Sequence, residues 1–154
     1  MKKLTKKSSL IAVGTTLCLS LSLVLLTNQA NAHKEAHDAE TLKSFQDEFM
    51  ANVILGDKLY HGDPVAAKEM GVTLTKTGMA CAMCHPKGSD IHPYEFPKFQ
   101  EQMSEFATLR NMVNWCIEKP NEGEKIDPNG EAMKALETYM YWSTKGSVLD
   151  PGRH

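Results

Sequence analysis

The stretch Cys81-Ala82-Met83-Cys84-His85 is the most informative part of this sequence. It has the C-x-x-C-H pattern of a c-type haem attachment site. Each thiol would add to a haem vinyl group as a thioether, and two intervening residues match the distance between the vinyl groups on one edge of the macrocycle. The adjacent histidine would then lie beneath the iron. We therefore predict one covalently bound haem c, held by Cys81 and Cys84, with His85 as the proximal iron ligand.

Two other interpretations of the cysteine pair fit the sequence less well. A thioredoxin-like redox pair usually opens a helix within a β-α-β pattern, and the sequence has no such alternation. A zinc site would need a second pair of ligands, and the chain contains no other C-x-x-C and no H-x-x-H. Haem attachment is therefore the favoured interpretation.

Residues 1–32 have the pattern of an export signal. A basic start from Lys2 to Lys7 precedes an uncharged run from Leu10 to Leu26, and Ala30-Asn31-Ala32 has the small-x-small pattern that signal peptidase cleaves. We predict that this signal peptide is removed. The mature domain would then comprise residues 33–154, be periplasmic or otherwise exported, and have no stable membrane anchor.

The predicted cleavage changes the charge and the cysteine count. Four of the 17 basic side chains, none of the 19 acidic ones and one of the four cysteines (Cys18) lie in residues 1–32, so the remaining domain has a net charge of −6 and three cysteines. A domain with this charge and without a basic patch is not expected to bind nucleic acid. Outside the cytoplasm thiols tend to be oxidised, so the third cysteine, Cys116, needs a role.

The spacing of apolar residues predicts helices. An apolar stripe predicts a helix over residues 39–60, interrupted at Gly56 and ended by Gly62-Asp63-Pro64, followed by a connection over residues 65–80. The stripe comprises Leu42, Phe45, Phe49, Val53 and Leu59.

Two further apolar faces follow the motif and a loop over residues 86–97. The first face ends at Pro120 and comprises Phe106, Leu109, Val113, Cys116 and Ile117. The second belongs to a last helix that ends near Lys145, with Gly146 at the position of a C-cap glycine. Its core residues would be Met133, Leu136, Tyr139 and Met140. No strand alternation is evident.

The segment Gly56-Asp57-Lys58-Leu59-Tyr60 ahead of the motif resembles the N-terminal helix of class I cytochromes c. In that family this helix crosses the C-terminal helix near a glycine, and aromatic residues of the last helix pack there. The resemblance implies an all-α class I cytochrome c fold, with about three to five helices around one haem. Tyr139, Tyr141 and Trp142 are the candidates for the aromatic contact.

The second half of the chain is similar to the cytochrome domains of thiosulfate dehydrogenases and SoxA-type subunits. The similarity rests on Asn114-Trp115-Cys116, on Ala132-Met133-Lys134-Ala135-Leu136 and on Tyr139-Met140-x-Trp142. In those families an N-x-C motif supplies a cysteine as the distal haem ligand. The resemblance therefore implies that Cys116 binds the iron opposite His85.

Other roles for Cys116 and other distal ligands stay open. Cys116 could be a small buried hydrophobic residue or form an intermolecular disulfide. Class I cytochromes usually use methionine, so Met112 is the fallback ligand and Met103 a further candidate. A bis-histidine site would use His61 or His92, which we interpret first as surface or loop residues. Met133 and Met140 are predicted to fill the core, and His33, His37 and His154 to be solvated.

The predicted ligands separate two functions. A thiolate stabilises ferric iron, so the potential should be low, as in an electron carrier or a haem that binds NO or CO on reduction. The alternative is the haem subunit of a thiosulfate- or sulfur-oxidising enzyme, whose family has an arginine and a serine after the ligand cysteine. Here that stretch reads Ile117-Glu118-Lys119-Pro120, which lacks the bidentate fork that suits oxyanions. We therefore favour a non-enzymatic cytochrome.

A further resemblance concerns the partner. The sequence looks like one subunit of a small heterodimeric His/Cys cytochrome complex of anaerobic ammonium-oxidising bacteria. This implies a second c-type cytochrome subunit, or another redox protein, as partner. Tyr94, Phe96 and Phe99 could form an interface or pack over the haem edge.

Overall fold

The computed structural model describes residues 37–146 of the 154-residue chain. The predicted signal peptide, its cleavage site, His33 and His154 therefore lie outside the described residues. The chain divides into units of residues 1–42 and 43–154. The described part of the first unit contains only the beginning of helix α1, and the second unit contains the remaining elements.

Residues 37–146 form five α-helices and one small antiparallel hairpin. The elements are α1 (Ala39–Tyr60), α2 (Pro64–Glu69), α3 (Cys81–Cys84), β1 (Lys98–Gln100), β2 (Glu105–Ala107), α4 (Leu109–Glu118) and α5 (Glu131–Ser143), with 3-10 turns at Gly88–Ile91 and Pro93–Glu95. The predicted all-α class with three to five helices is confirmed. The hairpin was not predicted, because strands of three residues are too short to show an alternating pattern.

Helix α1 has the predicted bounds, but its apolar stripe is buried only near its C-terminal end. Val53 and Leu59 are buried, whereas Leu42 and Phe49 are 46% and 48% exposed. The connection after α1 also contains α2, which was not predicted. Asp63 caps this helix, because its carboxylate accepts hydrogen bonds from the backbone N–H groups of the first turn.

Helix α1 crosses α5 at Gly56. A methyl group built on Gly56 would overlap the carbonyl group of Ala135 and lie 2.7 Å from Cβ of Tyr139. The prediction that Gly56 interrupts the helix is therefore wrong, because the missing side chain permits the crossing while the helix continues. The predicted aromatic contact is made by Tyr139, whose ring centroid lies 5.1 Å from that of Tyr60.

The other two aromatic candidates lie elsewhere. The Tyr141 ring packs against Tyr94, with centroids 5.0 Å apart, and Trp142 is 45% exposed. Tyr139 points to the crossing because it lies one helical turn after Ala135 on the same face of α5.

The core faces of α4 and α5 agree with the prediction except at Phe106, which is exposed, and at Cys116, which is half-buried. The predicted residues Leu109, Val113, Ile117, Met133, Leu136, Tyr139 and Met140 are all buried. The two methionines therefore fill the core as expected. Phe106 belongs to β2 and is 70% exposed, because α4 begins only after its N-cap, Thr108.

Candidate haem site

The C-x-x-C-H motif forms a single helical turn. Helix α3 begins after the extended residue Ala80, and the backbone N–H of His85 donates to the carbonyl of Cys81 at 3.0 Å. Residues three apart in a helix lie on the same side, so Cys81 and Cys84 face one way. Cys81 and His85 are half-buried and Cys84 is exposed. The turn thus offers two thiols on one face with the histidine directly after them.

The segment after the motif is fixed to the body of the domain. The backbone N–H of Lys87 donates to the Asp90 carboxylate at 2.9 Å, and the N–H of Asp90 donates to the carbonyl of Lys87 at 2.9 Å. Gly88 lies against α5, since a methyl group there would be 3.1 Å from Cα of Met140. The exit from the motif is therefore packed against α5.

Helix α4 is held against α5 by a bidentate ion pair. Arg110 donates from Nε to one oxygen of Glu137 at 2.9 Å, and its Nη2 lies 2.8 Å from the other oxygen. The Thr108 side chain also accepts a hydrogen bond from the backbone N–H of Asn111 at 3.2 Å. These contacts fix the start of the helix that contains Cys116.

Cys116 lies within electrostatic range of the motif cysteines. Burial, and then charge on Cys81 and Cys84, raises the pKa of the Cys116 thiol to about 12. Burial likewise raises the pKa of Cys81 to about 11. Cys116 is half-buried, and none of the three is in a disulfide within the described chain. Without a metal Cys116 is a neutral thiol, and a bound cation would favour its thiolate.

The cysteine and histidine side chains described above suit a haem better than a single metal ion. Among residues 37–146 there is no compact cluster of three or more His, Cys, Asp or Glu side chains that could hold a single metal ion. Two thiols with an adjacent histidine and a third sulfur near them match the attachment and axial groups of a haem c.

The alternative distal ligands differ in their burial and in their contacts. Met112 is half-buried on α4, one turn before Cys116, so it remains the fallback, and Met103 is half-buried in the turn of the hairpin. The Nδ1 atom of His61 lies 3.0 Å from the Asp57 carboxylate on the surface of α1.

The remaining described histidines are placed as follows. His92 has its Nδ1 atom 3.4 Å from the buried carboxylate of Glu95. His37 is exposed. The bis-histidine candidates His61 and His92 thus each face a carboxylate.

Asn114 of the N-x-C stretch has a structural role that the sequence did not reveal. Its side chain donates to the backbone oxygen of Ile126 and accepts from the backbone N–H of the same residue, both at 2.9 Å. The loop between them also pairs with the segment before α3, since Glu124 N–H donates to Thr73 at 2.8 Å. Asn114 thereby fixes the loop that follows the Cys116 helix.

We expect Asn114→Ala to lower the free energy of unfolding by about 2 kcal/mol, because both backbone groups of Ile126 lose their partners in a half-buried place. Chemical denaturation measures the effect. Asn52→Ala is the matched control, since Asn52 makes one hydrogen bond to Glu48 on the surface of α1. Equal losses of unfolding free energy in Asn114→Ala and Asn52→Ala would contradict the role assigned to Asn114.

The negative charge of Glu118, which follows Cys116, is offset by two neighbouring lysines. The Glu118 carboxylate lies 3.4 Å from Lys119 Nζ and 3.3 Å from Lys125 Nζ. Its hydrogen bond with Lys125 is the main cause that lowers the pKa of Glu118. Two ammonium groups thus flank one carboxylate. The repulsion of an anion by Glu118 is therefore weaker than the sequence alone indicated.

Helices that cross at a glycine, together with a C-x-x-C-H turn and a third cysteine within electrostatic range of it, define a small c-type cytochrome. Residues 72–149 match the model of the SoxA/TsdA cytochrome c domain. The chain belongs to this family, and haem c is accordingly its cofactor.

A similar protein is the thiosulfate dehydrogenase of Psychrobacter arcticus. It is 27% identical over 70 residues, which cover 40% of this chain and 21% of that protein. The chain therefore matches only about a fifth of the length of this relative.

Proposed function

We propose that this cytochrome carries electrons through one low-potential haem with His85 and Cys116 as axial ligands. Cys81 and Cys84 would hold the haem as thioethers. The observation that supports the proposal best is that the Cys116 thiol lies within electrostatic range of the two motif cysteines, whose charge adds to burial in raising its pKa. A cytochrome c domain of this family indicates electron transfer, and the ligand pair sets how the haem would behave.

The sulfur of Cys116 would determine the reduction potential of the haem. A thiolate donates charge to the iron and favours its ferric form, so the reduction potential would lie below that of a His/Met cytochrome. Once Cys81 and Cys84 are thioethers they carry no charge, and only burial opposes the thiolate at Cys116. Reduction weakens the attraction between iron and thiolate, so we propose that NO or CO binds to the reduced protein in place of Cys116.

We propose that the mature domain works in the periplasm after removal of residues 1–32, as the composition of that segment suggests. Cytochromes of the SoxA/TsdA type are periplasmic. Among the described residues there is no helix long and apolar enough to cross a membrane.

The partner would be a redox protein, and we propose a second c-type cytochrome subunit. Several large apolar side chains that could meet it are more than a third exposed, namely Phe49, Ile54, Tyr94, Phe99 and Phe106. Copurification of a second haem protein with the mature domain from its native host tests this proposal. A domain that remains alone at native abundance would contradict it.

A role in thiosulfate oxidation is the second candidate function. It is favoured by the thiosulfate dehydrogenase relative and by the two lysines that surround Glu118. It is opposed by the sequence Ile117-Glu118-Lys119-Pro120, which offers an oxyanion neither a guanidinium fork nor a hydroxyl group.

The two functions differ in a steady-state assay. We expect the purified holoprotein to exchange electrons with small redox mediators but not to reduce an external acceptor continuously with thiosulfate. The same protein, once reduced, should bind CO and change its spectrum. Continuous thiosulfate-dependent turnover at enzymatic rates, lost in Lys119→Ala and Lys125→Ala variants, would overturn the carrier proposal.

A further inference from the structure

Tyr60 connects the end of α1 to the proximal side of the haem motif. The side chain is fully buried. Its hydroxyl donates to the backbone oxygen of His85 at 2.6 Å and lies 3.1 Å from the backbone oxygen of Lys87. A buried tyrosine hydroxyl needs a hydrogen-bond partner, and here the partner belongs to the predicted iron ligand itself.

The position of this hydroxyl follows from the helix crossing. Gly56 lies one turn before Tyr60 and lets α1 approach α5. The Tyr60 ring then packs against the ring of Tyr139 on α5. A buried ring that packs against Tyr139 presents its hydroxyl at one place, so the bond to His85 is preorganised by the fold.

His85 is consequently held at both of its backbone groups. Its N–H donates to the carbonyl of Cys81 at 3.0 Å, and its carbonyl accepts from Tyr60 at 2.6 Å. With the backbone fixed, the imidazole can move only by rotation about its side-chain bonds. A backbone free to shift would let the ring move away from the iron as well.

We propose that Tyr60 is a positioning residue that holds the His85 backbone where its imidazole meets the iron. This inference rests on the proposed role of His85 as proximal ligand. The hydroxyl would not be an iron ligand. It acts through the peptide group of His85, in the way that groups around a metal ligand orient that ligand.

The test compares holoproteins by the spin state of their ferric iron. Tyr60→Phe removes one oxygen and keeps the ring, so the core remains filled. We expect the high-spin fraction to rise about tenfold over the wild type, because the His85–iron bond opens more often once the backbone is released. Added imidazole should restore the low-spin signal. The matched control is Tyr141→Phe, which loses the hydroxyl of a tyrosine whose ring packs against Tyr94 and not against Tyr60.

The results separate failure of this inference from failure of the proposed function. His85→Ala is measured in parallel. If His85→Ala keeps the wild-type spectrum, His85 is not a ligand and the proposed function fails with the inference. If His85→Ala loses the low-spin signal while Tyr60→Phe matches the wild type in spin state and potential, only the role of Tyr60 is refuted.

A second measurement applies if Tyr60→Phe does not accumulate as holoprotein. Fluorotyrosine is then placed at position 60 or, as control, at position 141. Its more acidic hydroxyl strengthens the same hydrogen bond without removing it. The inference predicts a shifted potential for the protein labelled at position 60 and none for the control. Identical potentials would contradict it.

Discussion

Cys116→Ala is expected to raise the reduction potential by more than about 100 mV, within the span of roughly 0.8 V that axial ligands produce. The thiolate that stabilises ferric iron is lost, and alanine cannot replace it. The reduced variant should also bind CO stoichiometrically, because no protein sulfur then competes for the distal position. Potentiometric titration and the CO difference spectrum measure the two effects.

Met112→Leu is the matched control for this variant. Met112 lies one turn before Cys116 on α4 and is also half-buried, and leucine keeps most of its volume. If Cys116 is the ligand, Met112→Leu leaves the spectrum and the potential unchanged. If Met112→Leu instead changes the spectrum and the potential while Cys116→Ala leaves both unchanged, Met112 is the ligand and the claim for Cys116 fails.

Gly56→Ala is expected to destabilise the domain by about 3 kcal/mol, a large part of the stability of a small protein. The added methyl group would lie 2.6 Å from the carbonyl carbon of Ala135, so one of the two helices must move. Since Tyr60 lies one turn further along α1, the segment around the motif should loosen as well. Chemical denaturation of the holoprotein, followed by the haem absorption, measures the loss.

Ala51→Val serves as the control for added volume on α1. Ala51 is exposed on the same helix, so the larger side chain extends into solvent. The cost should be no more than the helix propensity difference, about 0.5 kcal/mol. Equal losses at positions 51 and 56 would mean that Gly56 is not at a close crossing.

The helices could be predicted from the sequence because their core residues repeat with the helical period. Met133, Leu136 and Met140 all face the core as the spacing indicated. The stripe of α1 shows the limit of such patterns. Phe49 continues the same face, yet nothing in the spacing says where α5 crosses and where burial ends.

The motif residues of the candidate site could also be predicted, because thioether attachment demands two thiols and a histidine at fixed spacing. The contacts that hold them could not. Tyr60 and Asn114 act through hydrogen bonds to backbone groups 25 and 12 residues away. Such bonds leave no periodic signal, because any residue type offers the same backbone oxygen.

The ligation of the iron by Cys116 can be tested directly by electron paramagnetic resonance of the oxidised holoprotein. We predict a homogeneous low-spin ferric signal of the thiolate type, which disappears in Cys116→Ala and persists in Met112→Leu. A methionine–iron absorption band at the red end of the visible spectrum, or a bis-imidazole signal that survives Cys116→Ala, would contradict it.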